Sequence, residues 1–347
     1  MNSPKARTHL SANIGIAIAA CLFAVLLIEI ALRVYGVTPQ QDRLSVYEFD
    51  STLGWRTRKS FRFFRSSHYY AHFTYYNLDG FPTDEKNWLH SADRTIPSIT
   101  IIGDSFVEGY YLPYELTFPY LIDNEITDRQ VINLGVSGYS PDQYLLQARR
   151  HLNKYHLTNI VVMFFPANDI PYIDEDMYFG YAKPVFPSTS FETPINIPLS
   201  QRQEAHCADV LHWLTNHSAI YTLMRPFVQR FFTEPDINYV ATKFQKEEMD
   251  RAVAFIDQIH LEFPKVSFML YYIPTVGEIA ETQTLQHNLT LFYEICGEYN
   301  IACYSPETIF SGIDPERIYT PGEGHFTEFG ARLVADSLYY LLIQSNR

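Results

Sequence analysis

Five short apolar runs, separated by segments with helical periodicity, constrain this chain more than any other feature. Ser98 to Ile102, Val131 to Leu134, Asn159 to Phe165, Val266 to Ile273 and Ile301 to Tyr304 read as strands. Phe118 to Thr127, Asp142 to Tyr155, Gln245 to Glu262, Thr284 to Tyr299 and Glu328 to Ile343 read as helices, the second of them carrying Leu145, Leu146, Ala148 and Leu152. Regular alternation of this kind implies an α/β domain, with a mainly parallel sheet covered by helices on both faces. Open parallel sheets bind ligands beyond the carboxyl ends of their strands, so the residues just past each run are the first candidates for a site.

Four polar blocks occupy such positions. Gly103-Asp104-Ser105 follows the first run, and Asn133-Leu134-Gly135-Val136-Ser137-Gly138 closes the second. Ala167-Asn168-Asp169 follows the third, and Glu323-Gly324-His325 stands before the last helix, whose expected N-cap is Thr327. A serine hydroxyl becomes a nucleophile when a base takes its proton and a third group holds the base, and these blocks contain a candidate for each part.

In order and position the four blocks resemble the SGNH (GDSL-type) hydrolase superfamily, with the resemblance running from about Ile99 to Leu342. It implies a three-layer α/β/α, flavodoxin-like domain without cofactor. It also implies Ser105 as nucleophile, His325 as base and Glu323 as the acid that orients the base. The oxyanion hole would be formed by the backbone amides of Ser105 and Gly138 with the side-chain amide of Asn168. The chain departs from the family pattern twice. Ala167 stands where glycine is usual, and the acid is Glu323 where aspartate is usual; Gly322 leaves only the two-residue spacing to His325. Asp104 reads as a structural turn residue, and no Gly-x-Ser-x-Gly elbow of the α/β-hydrolase type is present.

The N-terminus is a second organised feature. Leu10 to Ile28 is apolar apart from Ser11 and Asn13, enough for a helix to cross a hydrocarbon core of roughly 30 Å. Lys5 and Arg7 precede it, which predicts a cytoplasmic N-terminus and export of everything after Arg33, with Glu29 reaching the interface. Cleavage as a signal peptide is disfavoured because Leu22 to Ile28 stays apolar. Ile18-Ala19-Ala20-Cys21 looks like a lipoprotein box, but the apolar run continues past Cys21, which reads as a small membrane-facing residue. The expected organisation is a cytoplasmic stub over 1–9, an anchor over 10–33, an extension over 34–97 packed on the domain, and the domain itself over 98–347. An aromatic, Pro-rich insertion over 170–244, with an amphipathic stretch from Arg202 to Phe232 and a helix of its own, interrupts the domain after the third strand; the insertion is expected beside Asn168 and able to cover the cleft.

Composition narrows the partners. A formal charge of −13 without a Lys/Arg cluster excludes nucleic acid and disfavours a strongly anionic polymer. An aromatic share of 16% suits ordinary core packing and can also line a sugar or acyl cleft. No Cys/His spacing matches a zinc site, so no metal is expected. Cys296 and Cys303 could pair in an oxidising compartment, leaving Cys207 over; spacing alone does not decide it. Asn216-His217-Ser218 and Asn288-Leu289-Thr290 are glycosylation sequons, meaningful only in a eukaryotic source.

Three functions fit these readings. The preferred one is a serine esterase acting on O-acyl, in particular O-acetyl, groups of an acylated glycan or lipid outside the cytoplasm. An O-acyltransferase that modifies an exported polysaccharide would use the same residues together with an acyl-donor membrane partner. A catalytically silent binding or assembly protein is the third.

Overall fold

The computed structural model describes residues 4–37, 39, 46–67, 69–178, 181–187, 190–200, 213–214, 217–229 and 241–344. Cys207, Asn216 and most of the stretch from Arg202 to Phe232 lie outside them, as do the side chains of Lys5 and Arg7.

The sheet has five strands: β1 (Pro97–Gly103), β2 (Gln130–Gly135), β3 (His156–Phe164), β4 (Ser267–Tyr272) and β5 (Ala302–Tyr304). Their order is β5-β4-β3-β1-β2, and every neighbouring pair is parallel. This is the flavodoxin-like order, in which the direction of winding reverses between β1 and β3 and opens a crevice at their carboxyl ends. Each strand lies within three residues of its expected boundaries.

Helices α1 (Pro4–Tyr35), α2 (Ser105–Glu108), α3 (Phe118–Glu125), α4 (Pro141–His151), α5 (Pro166–Asp169), α6 (Ala219–Gln229), α7 (Lys246–Glu262), α8 (Thr282–Tyr299) and α9 (Glu328–Gln344) are the ones that matter here. The helix expected from Asp142 to Tyr155 ends at His151 and tightens into a 3₁₀ turn over Leu152–Lys154. Side chains of a strand alternate between faces, and Ile99, Ile101, Val161, Met163, Met269 and Tyr271 point to the face covered by α3 and α9. The opposite face is covered by α4, α7 and α8, which pack on one another. Thr327 caps α9 through its hydroxyl, which accepts from the Gly330 amide at 3.1 Å.

The chain divides into two compact units, one of Met1–Ser45, Phe63–Ala71 and Cys207–Thr233, the other of Val46–Arg62, His72–His206 and Glu234–Arg347. The expected extension and insertion are therefore each divided. In the first unit, Asn13–Tyr35 within α1 is long and apolar enough to cross a membrane. Glu29 accepts hydrogen bonds from the Ala219 and Ile220 amides (2.8 and 3.0 Å) and so serves the N-terminus of α6. Arg33 bonds both Glu29 and the His217 carbonyl. A carboxylate on an apolar helix seeks donors, and Arg33 together with the open first turn of α6 supplies them.

The second unit contains the sheet together with 46–62 and 72–97 of the extension and the described part of 170–200. Lys183 and Asp142, both fully buried, form an ion pair that ties the insertion to the start of α4. The Leu199 amide bonds the Ser51 carbonyl at 2.7 Å. Cys296 and Cys303 form a disulfide with Cα atoms 6.2 Å apart. The Asn288 sequon is not available to a glycan. Its side chain is fully buried, donating to the Thr242 carbonyl and to Glu278 and accepting from the Phe244 amide.

Candidate active site

Ser105 begins α2 two residues past β1. Asp104 is the N-cap, its carboxylate accepting from the Phe106 amide at 3.0 Å, which turns the chain sharply out of the strand. Gly135 makes this possible from the other side: a Cβ there would lie 2.0 Å from the Glu108 nitrogen, so only glycine lets α2 rest on the end of β2. Asp104 is 2% exposed, and burial pushes its carboxyl up to about 7 despite bonds from the Phe106 amide and Asn168, with the nearby Glu108 adding to the rise. It is a structural turn residue with an unusual protonation range.

His325 approaches from the loop before α9. Its Nε2 lies 2.7 Å from the Ser105 hydroxyl. Its Nδ1 lies 3.0 Å from the backbone carbonyl of Glu323. A carbonyl can only accept, so Nδ1 carries the proton and Nε2 is left to take the serine proton, the tautomer a general base requires. Phe106 stacks on the imidazole at 4.7 Å and Tyr111 lies across its other neighbourhood at 3.9 Å, restricting rotation of the ring. Asp314 caps a short helix, its carboxylate accepting from the Glu316 amide at 3.1 Å.

Asn168 and Gly138 also come to this edge. Asn168 lies in α5 directly after β3, and its Nδ2 donates to the Asp104 carboxylate and to the Tyr139 carbonyl, both at 3.0 Å. It thus joins the residue before Ser105 to the residue after Gly138. Those two bonds occupy both hydrogens of its amide, so here Asn168 acts as a tie. Gly138 has φ +80°, a conformation that glycine adopts without strain. Its amide and that of Ser105 have no acceptor among the described residues.

Several side chains at the site carry no signal in the sequence. Glu108, 2% exposed, accepts from the Ser137 amide and hydroxyl (both 2.6 Å), from the Tyr47 hydroxyl (2.7 Å) and from the Tyr76 hydroxyl. Trp55 donates to the Ser137 carbonyl at 3.1 Å, and the Tyr139 hydroxyl donates to the Trp55 carbonyl. The loop bearing Gly138 is therefore held by Trp55 directly and by Tyr47 and Tyr76 through Glu108. Tyr178, from the insertion, donates to Asn168 Oδ1 at 3.1 Å. Asp169 is fully buried, accepting from Tyr144 and from the Phe165 amide, and burial raises its pKa well above the carboxylate range. Glu108 is an acid three residues after a serine, as any surface helix might carry; only its burial against two distant tyrosines distinguishes it.

Beside Ser105 and His325 lies a cavity of about 20 Å³, walled by Phe106, Tyr110, Tyr111, Leu112 and Phe118. No group of three or more His, Cys, Asp or Glu side chains able to hold a metal occurs among the described residues.

No family model and no curated protein matches the chain. Solved structures do. A lipase/acylhydrolase from Enterococcus faecalis is 10% identical, with 71% of this chain and 95% of that chain covered and a TM-score of 0.42. A member of the lipolytic G-D-S-L family from Veillonella parvula is 15% identical, with 72% and 100% covered and a TM-score of 0.38. A two-domain esterase active on acetylated mannans is 14% identical, with 72% and 49% covered and a TM-score of 0.40. These neighbours are named as a lipase/acylhydrolase, an esterase and lipolytic proteins of the G-D-S-L family. At these scores the likeness carries no argument, and the chemistry rests on the chain's own residues.

Proposed function

We propose that this protein is an SGNH-type serine esterase that removes small O-acyl groups, acetyl above all, from an extracytoplasmic carbohydrate or related envelope substrate. The observation that carries the reading is the 2.7 Å contact between the Ser105 hydroxyl and Nε2 of a histidine whose Nδ1 is engaged by a main-chain carbonyl. In the reaction, Ser105 Oγ attacks the ester carbonyl while its proton passes to His325 Nε2. The amides of Ser105 and Gly138 would donate to the developing oxyanion. The proton on His325 then goes to the leaving alkoxide, giving an acyl-serine and free alcohol. Water, deprotonated by His325, attacks the acyl-serine and releases the acid, with the proton returning to Ser105. A cavity of about 20 Å³ accepts a group the size of one or two waters, which favours the methyl of an acetyl over a longer chain.

The site is expected on the outer side of a membrane. The apolar span Asn13–Tyr35 supports an anchor, and the Cys296–Cys303 disulfide suits an oxidising compartment. The same span favours one second reading. An enzyme held at the membrane beside an acyl-donor partner would pass its acyl group to a glycan hydroxyl in place of water, becoming an O-acyltransferase. The silent-protein alternative is disfavoured by the assembled Ser105–His325 pair.

The test is hydrolysis of 4-nitrophenyl acetate by the full-length protein in detergent. Wild type is expected to turn over, and Ser105→Ala to lose turnover while keeping its circular dichroism spectrum and melting temperature. Equal rates in the two proteins would remove the proposal.

A further inference from the structure

A second concavity, of about 440 Å³, lies between residues 77–93 of the extension and the segment containing α3 and the edge strand β2. Its volume is in the range of small-molecule sites, roughly 300–1,000 Å³. Asp84, 7% exposed, lines it, with Oδ1 accepting from the Asn87 amide at 2.9 Å and Oδ2 without a partner among the described residues. Tyr114 and Tyr120, in edge-to-face contact at 5.6 Å, form an aromatic wall. The side chains of Asn87, His90 and Asn124 rim it and have no hydrogen-bond or ion-pair partner among the described residues. Exposed amides without partners are ordinary on a protein surface. Here they converge with a half-satisfied carboxylate and an aromatic wall on one hollow, so that donors, acceptors and a ring face the same volume.

That combination suits a polyhydroxylated, uncharged ligand. Vicinal hydroxyls both donate and accept, as planar amides and carboxylates do, and the C–H face of a sugar ring packs on an aromatic ring. Asp84, Asp93 and Asp123 all line the hollow, which disfavours an anionic ligand. The Tyr120 phenol reports the same field, its pKa raised by burial and then by Asp84, Glu115 and Asp123. These carboxylates do not form a metal-binding group among the described residues. The hollow is also linked to the catalytic residues, because the segment 109–124 lines both: Gly109 to Phe118 wall the cavity beside Ser105, and Tyr114, Tyr120 and Asn124 face the larger one.

We propose that this hollow is a carbohydrate subsite, binding the uncharged glycan whose ester the Ser105 site cleaves; in its assignment of purpose it rests on the esterase reading above. Glycan bound there runs along the segment that also shapes the acyl cavity, so sugar recognition and ester position are set by one element.

The test is isothermal titration calorimetry of the full-length Ser105→Ala protein in detergent with cellopentaose, mannopentaose and chitopentaose, and with oligogalacturonate as the anionic control. At least one uncharged pentasaccharide is expected to bind, oligogalacturonate is not, and His90→Ala or Asn124→Ala on the same background should each weaken binding by about fivefold, the worth of one neutral hydrogen bond. Both positions are exposed, so melting temperatures should not change. Absence of binding by all three uncharged sugars, unchanged affinity in both variants, or preference for the anionic sugar would overturn the proposal. Because binding is read in a protein without its nucleophile, failure here is separate from failure of wild type to hydrolyse the aryl acetate.

Discussion

At His325 a main-chain carbonyl, that of Glu323, lies 3.0 Å from Nδ1, and this sets the expectation for the Glu323 side chain. With the tautomer held by backbone, Glu323→Gln should lower kcat on the aryl acetate by less than about tenfold, against roughly 10⁴ where a side-chain carboxylate does that work. A loss of the larger size would make the Glu323 carboxylate the orienting acid. Asn168→Ala is expected to lower kcat about a hundredfold, with little change in KM, because the Ser105 turn and the Gly138 loop lose their tie. It should also lower the melting temperature, since the nearly buried Asp104 carboxylate loses a donor; a kcat loss with unchanged melting temperature would make Asn168 an oxyanion donor and nothing more. Asp104 itself gives a pH signature. Its carboxyl is raised from 3.8 to about 7 by burial, so the folded chain holds this proton more tightly than the unfolded one. Its contribution to stability is fully present below the unfolded value and is lost as pH rises towards about 7. Asp104→Asn carries no such proton, so its melting temperature should vary less between those two pH values than that of wild type. Parallel profiles would refute the assignment.

At the scale of elements, the loop from Val136 to Tyr139 is held on three sides: by Glu108 of α2, Trp55 of the extension and Asn168 of α5. Glu108 is the centre of that arrangement, because one carboxylate accepts from four donors contributed by Ser137, Tyr47 and Tyr76. Glu108→Gln places an amide N–H where an acceptor is needed. The expected cost is about 3 kcal/mol in urea unfolding, the worth of lost charged hydrogen bonds and stranded donors. In the variant that folds, kcat should fall while KM is preserved, since Ser137 precedes Gly138, the proposed oxyanion donor. A stability loss without a kcat effect would leave Glu108 as a fold residue only. Tyr47, Trp55 and Tyr76 of the extension are thus part of what shapes the site, the two tyrosines supplying hydroxyls to a buried charge.

For the whole molecule, the distribution of apolar surface is the organising fact. The sheet buries its own apolar side chains between two helical layers, whereas Asn13–Tyr35 leaves its apolar side chains on the outside. Such a surface is stable in lipid and costly in water. Alkaline phosphatase fused after Arg347 is therefore expected to be active only if exported, and the fusion should show activity; a fusion active solely as a cytoplasmic reporter would reverse the proposed topology.

Local sequence determined most of the architecture. β1 and β2 end at Gly103 and Gly135, β3, β4 and β5 stop two residues before Pro166, Pro274 and Pro306, and the last helix is capped by Thr327, because the strand period, the helix period and capping chemistry are all properties of neighbouring residues. The meeting of Ser105 and His325 was legible for a related reason: a parallel sheet brings every post-strand loop to one edge. What tertiary structure alone decided are the contacts between distant segments. The four-donor shell of Glu108, the engagement of both Asn168 hydrogens, the burial of the Asn288 sequon and the capping of α6 by Glu29 each pair groups far apart along the chain. A carboxylate or amide has the same local sequence signature on a surface as in a core, and only the packed neighbours determine which donors reach it.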